Sequence, residues 1–144
     1  MEVEKFFAAG YRGSKAFKQL DVPTANATGF GAATDDYMER GIDLNEQLIR
    51  NKPATYFMRV SGNSMINACI HDGDIVIVDR SIKPISGKIV IAVVDGEMLI
   101  RRLEKTINKM RLIPETPKLS PIEVSEFSDL VIWGVVTYVI KSMT

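Results

Sequence analysis

The chain is poor in the groups from which most redox and metal chemistry is built. Among its 144 residues there is one cysteine, Cys69, and one histidine, His71. A single thiol excludes an internal disulfide, and one thiol with one imidazole falls short of the usual ligand set of a zinc site. Neither sign of charge predominates: Lys+Arg and Asp+Glu are 18 each. No global field therefore steers the chain to nucleic acid, a membrane surface or an acidic substrate. Long hydrophobic runs are also lacking. Residues 89–94 and 131–140 are too short for a bilayer span, which takes about 20 residues, and Glu2 and Glu4 do not suit a signal peptide. These absences describe a cytoplasmic protein with no membrane partner, cofactor or metal, in which Cys69 is a small half-buried filler.

What is present suits one globular core, with 46% hydrophobic and 25% charged residues. The first forty residues stand apart, because Gly10, Gly13, Pro23, Gly29 and Gly31 interrupt every candidate periodicity. Residues 1–40 are read as an extended N-terminal arm and residues 41–144 as a β domain. Asp43 and Glu46 have capping-box spacing, and Leu44, Leu48 and Ile49 share a face, which predicts one short helix running to about Asn51 and stopping before Pro53. Beyond it, segments 56–60, 74–79, 88–94, 97–103, 110–113 and 130–140 are rich in valine, isoleucine and aromatics, with turn residues between most of them. Asp95-Gly96 between two apolar runs predicts a tight hairpin that sets Val94 opposite Glu97 and Val90 opposite Arg101. The fold class is mainly β.

Ser61-Gly62-Asn63-Ser64-Met65 follows an apolar run, so a hydroxyl stands at a turn just past a strand, where a nucleophilic serine is placed. Gly62 lets the chain reverse, and Met65-Ile66 can open a short helical turn. By itself the pentapeptide reads as an ordinary turn. His71-Asp72-Gly73-Asp74 lacks the alternating oxygen ligands and closing glutamate of a calcium loop and is read as a turn. Arg101, Arg102, Lys105, Lys109 and Arg111 form a charge run, read as a solvated face because no aromatics interleave it. Trp133 is read as a core or dimer-interface residue.

Joined together, the serine turn, Asp72-Gly73-Asp74-Ile75-Val76-Ile77-Val78-Asp79 and Val94-Asp95-Gly96-Glu97 resemble the UmuD/LexA self-cleaving serine peptidases. The resemblance runs from about Gly29 to Thr144. Asp36-Tyr37-Met38-Glu39, Leu119-Ser120-Pro121-Ile122 and Gly134-Val135-Val136 are similar to UmuD in particular. It implies the twisted β fold of the LexA/UmuD C-terminal domain, a homodimer, and a role in damage-induced mutagenesis. There, RecA filaments stimulate cleavage of the arm, and the trimmed dimer joins a UmuC-type translesion polymerase. The 63 residues before Ser64 lack two consecutive amphipathic helices, so sequence-specific DNA binding is not expected.

The resemblance also assigns roles. Ser64 matches the nucleophile, and the cleaved bond aligns with Thr28-Gly29. The lysine that serves as general base falls on Arg101. A guanidinium with a pKa above ~12 would need a depression of about five units, roughly 7 kcal/mol, to offer a lone pair at neutral pH. Burial moves groups by ~3–5 units at the extreme. Self-cleavage is accordingly expected to be absent or very slow. Lys88, two residues from Val90 on the neighbouring strand, is the one substitute base that geometry offers, at a diagonal of roughly 7–8 Å, although a lysine at a strand's start is usually solvated. Thr28, branched at Cβ, fits poorly in a pocket for a small unbranched residue, a penalty of ~1–3 kcal/mol. The competing readings are an active self-peptidase using Ser64 and another base, and a non-cleaving decoy of an intact paralogue.

Overall fold

The computed structural model describes residues 2–8, 41–125 and 129–144. The chain divides into two compact units, one of residues 1–10 with 51–144 and the other of residues 11–50. Of the second unit, residues 41–50 are described. They contain α1 (Leu44–Leu48), whose N-cap residue Asp43 accepts the Asn45 N–H at 2.9 Å. The helix is shorter than its apolar spacing predicts. Ile49 is already extended at φ −112° and ψ 106°, and the following residues 52–54 form a 3₁₀ turn containing Pro53.

The first unit is one antiparallel sheet. Its strands are β1 (Val3–Ala8), β2 (Thr55–Val60), β3 (Ile75–Asp79), β4 (Ile89–Val94), β5 (Glu97–Lys105), β6 (Met110–Ile113), β7 (Ile122–Val124) and β8 (Leu130–Ile140). Their spatial order is β1-β2-β3-β8-β4-β5-β6-β7, and every pairing is antiparallel. The β4–β5 hairpin has the register expected from its turn, with Val90 opposite Arg101 and Val94 opposite Glu97. Asp95 and Gly96 take φ of 49° and 84°, the left-handed pair that lets a two-residue loop follow the twist of its strands.

Continuous apolar runs on β3 and β4 reflect burial on both faces. Along β4, Ile91 joins a core cluster with Met58, Met65, Val76 and Ile100, while its neighbours Val90 and Ala92 join a second with Leu103, Leu112 and Val135. β8 threads between β3 and β4 and bends twice. Its register shifts by one residue between Ile77 and Val78 of β3 and again between Ile91 and Ala92 of β4. The residues skipped are Thr137 and Trp133, as in β-bulges. Trp133 packs partly buried against the first cluster, meets Tyr56 edge to face at 4.9 Å and lies under the Arg80 guanidinium at 4.4 Å.

Three findings differ from the sequence reading. Residues 3–8, within the span read as an arm, form an edge strand paired with β2, and Val3 is fully buried. This strand carries no hairpin turn to announce it, because its partner lies some fifty residues on. β7, three residues long, is too short to show alternation. Cys69 is exposed, closing the 3₁₀ turn Ile66–Ala68 in the left-handed region at φ 62°. Among the described residues no helix is long and apolar enough to cross a membrane.

Gly134 has no room for a side chain, since a Cβ there would meet Val78 Cγ1 at 2.6 Å. Gly134→Ala is therefore expected to destabilise the sheet by about 1–3 kcal/mol, read as a lower urea midpoint at unchanged m-value. A midpoint equal to that of the unaltered chain would refute this account of the β3–β8 approach.

Candidate functional site

β2 delivers the chain into the serine loop, and the turn before β3 holds it there. Val60 donates its N–H to the Asp74 carbonyl at 2.8 Å, and Gly73 donates to the Val60 carbonyl at 2.8 Å. Gly62, at φ 89°, makes the reversal, and its N–H is fixed by Asp72 Oδ1 at 2.7 Å. On the far side the Ser64 carbonyl accepts the Glu115 N–H at 2.9 Å, and Asn67 donates to the Glu115 carbonyl at 2.8 Å. Buried Met65 anchors the loop below. Ser64 is thus held by main-chain bonds on both sides, and only 5% of it is exposed.

The serine hydroxyl faces a carboxylate. Ser64 Oγ donates to Glu2 Oε2 at 3.3 Å, and the same oxygen accepts the Ile100 N–H at 3.2 Å and an N–H of the Arg101 guanidinium. Glu2 is held by its backbone as well. Its N–H donates to the Met98 carbonyl at 3.1 Å, and its carbonyl accepts the Ser61 N–H at 2.6 Å. β5 can receive it because β6 pairs only from Arg102 onward, which leaves residues 98–100 for Glu2. Arg101 is 5% exposed. Besides Glu2 it donates to the Ile100 carbonyl at 2.8 Å, and among the described residues its Nε, buried, has no partner. A guanidinium this deep requires an anion, since leaving such a charge unpaired costs about 3–5 kcal/mol.

The structure therefore brings Ser64 and Arg101 together through a third residue, Glu2, which sequence reasoning missed. Lys88 is exposed and makes no hydrogen bond with Ser64; its main chain instead pairs with Ile85 and Leu103. Thr28 and Gly29 lie outside the described residues. Two arginines of the charge run beside the site are paired with acids: Arg102 Nε meets Glu115 Oε1 at 2.6 Å, and Arg111 Nε meets Glu104 Oε2 at 2.6 Å.

A family model described as Peptidase S24-like matches residues 22–137. The chain belongs to the Peptidase S24-like family. Among its relatives, protein ImpA of Salmonella typhimurium is 42% identical over 118 residues, 78% of this chain and 76% of the relative. Protein MucA of Escherichia coli is 35% identical over 120 residues, 78% and 77% of the two chains. LexA repressor 1 of Xanthomonas campestris pv. campestris is 38% identical over 126 residues, covering 88% of this chain and 62% of the repressor. The Peptidase S24-like match contains Ser64 and Arg101 but not Glu2 or β1, so the carboxylate that joins them comes from outside the matched span.

Beside the serine loop of this Peptidase S24-like domain sits a further ion pair. Asp74, buried, accepts the His71 N–H at 2.8 Å and pairs with Lys141, whose ammonium also lies 3.0 Å from His71 Nδ1. Burial raises the Asp74 carboxyl, but the Lys141 hydrogen bond, the His71 N–H and the nearby positive charges outweigh it and hold the group below its ordinary value. Because the folded value is depressed, the stability this group contributes is present above about pH 4 and is lost as pH falls through the folded value. Lys141 is partly exposed, which limits its share. Lys141→Met is expected to cost about 1 kcal/mol at pH 6, with the difference from the unaltered chain shrinking below pH 4. Urea titrations at pH 6 and pH 3 measure it; a difference undiminished at pH 3 would exclude Asp74 as its source.

Proposed function

We propose that this chain is a UmuD-like, cytoplasmic, homodimeric SOS mutagenesis protein. It serves as accessory subunit of a UmuC-type translesion DNA polymerase and responds to RecA filaments, with self-cleavage withheld by Arg101. Membership of the Peptidase S24-like family and the likeness to ImpA and MucA over about three quarters of each chain support the first part. The observation that carries the second is the contact set of Arg101. Its guanidinium is buried, ion-paired and opposite Val90 on the hairpin strand where the family places its lysine. General-base catalysis needs a lone pair within reach of the serine proton. A guanidinium, its charge spread over three nitrogens, does not release one near neutrality.

One observation favours a second reading, a peptidase using another base: Ser64 already donates its hydroxyl hydrogen to Glu2 Oε2. That oxygen, however, is committed to Arg101 and to the Ile100 N–H.

With RecA filaments, the unaltered chain is expected to show no fragment beginning at Gly29. Arg101→Lys alone would leave a new ammonium facing Glu2 and held protonated by it. The informative variant is therefore Glu2→Gln with Arg101→Lys, which is expected to cleave the arm about 10²-fold faster or more and to fall silent again with Ser64→Ala. Rapid trimming of the unaltered chain would overturn the reading, whereas silence of the double variant would place the block at Thr28.

A further inference from the structure

The contacts of Glu2 and Val3 have the form of peptide recognition. Glu2 is read through its main chain, by the Met98 carbonyl and the Ser61 N–H, and through its carboxylate, by Ser64 Oγ, the Ile100 N–H and Arg101. The next residue, Val3, is fully buried in the cluster that contains Met58, Met65 and Ile100. Beyond it, residues 3–8 add to the edge of β2. An extended segment entering a sheet edge, with main-chain bonds for affinity and pockets for particular side chains, is strand addition. Here the pockets accept a carboxylate and then a β-branched aliphatic side chain. The guanidinium also has capacity to spare, since its buried Nε lacks a partner among the described residues. Such a fork is built for a carboxylate.

We propose that the cleft around Ser64 is a binding site for an extended peptide carrying an acidic residue followed by an aliphatic one. Arg101 is its carboxylate receptor, and the chain's own residues 2–8 are its resident, displaceable occupant. The site lies at the serine but does different work there: it holds an anion against the serine hydroxyl. It does not rest on the polymerase role, because every contact it uses lies within one compact unit of this chain.

The test uses the full-length chain with its occupant expelled by Glu2→Lys and Val3→Asp, one change repelling Arg101 and the other placing a charge in the apolar pocket. The probe is the octapeptide Met-Glu-Val-Glu-Lys-Phe-Phe-Ala with a fluorophore at its C-terminus, followed by anisotropy. It is expected to bind at least tenfold more tightly than the same peptide with glutamine at its second position, and Arg101→Leu is expected to erase that preference. Equal binding of the two peptides, or no binding of either, would overturn the proposal. Hydrogen exchange decides independently of whether the emptied chain folds well. In the otherwise unaltered chain, Glu2→Gln is expected to speed exchange of the residue 3–8 amides about tenfold or more while β3 and β8 keep their rates. Unchanged exchange in residues 3–8 would equally refute it.

Discussion

A single carboxylate oxygen, Oε2 of Glu2, joins elements far apart in the chain. It accepts the Ser64 hydroxyl from the loop after β2, the Ile100 N–H from β5 and the Arg101 guanidinium from the same strand. The arrangement follows from the cost of burying a guanidinium. Arg101 is almost entirely out of solvent, where a charge without a counter-ion is strongly destabilising. Given Arg101 at that depth, an anion must stand beside it. Supplying that anion from residue 2 brings the N-terminus to the sheet, seats Val3 in the core and sets the direction in which β1 runs along β2.

The framework has two openings that make this possible, and both are sheet edges. β6 begins pairing with β5 only at Arg102, so residues 98–100 offer main-chain groups to a newcomer. β2 has β3 on one side and, without β1, would present an open edge on the other. Open edges attract stray strands, and proteins generally cover them. β1 covers one while Glu2 engages the other, across the serine loop between them. The loop is stiffened from behind by Asp72 and by the Asp74 turn, so the hydroxyl meets the carboxylate in a frame with little freedom to move away.

How much of this could be read from residues alone depended on the range of the interaction. Asp95-Gly96 specified the hairpin and its register because a two-residue turn acts only on its neighbours. The runs at β3 and β4 were legible because two-sided burial demands unbroken apolar stretches, and those at β2 and β8 because they are rich in β-branched and aromatic residues. α1 was read too long, since the spacing of Leu44, Leu48 and Ile49 does not reveal that Ile49 turns extended. β7 is too short for a pattern. Ser64 and Arg101 were found through motif resemblance, whereas Glu2 was not. It lies about a hundred residues from Arg101, and nothing in a Glu-Val pair near a chain's start distinguishes an ion-pair partner from a solvated charge.

On the proposed reading, in which Arg101 stands at the family's lysine position, the exchange is larger in consequence than the charge it conserves. An ammonium is a point donor on a flexible stem, and an apolar wall can strip its proton; that property makes it a base. A guanidinium keeps its proton and offers a planar fork instead, which makes it a receptor for carboxylates. The same buried place on β5, two residues past Leu99, therefore supports either of two activities but not both at once. Occupied by arginine, it draws in an anion that sits on the serine hydroxyl. On the proposed reading one group, Arg101, has two consequences at this site: it does not accept the serine's hydrogen, and it holds Glu2 against the hydroxyl.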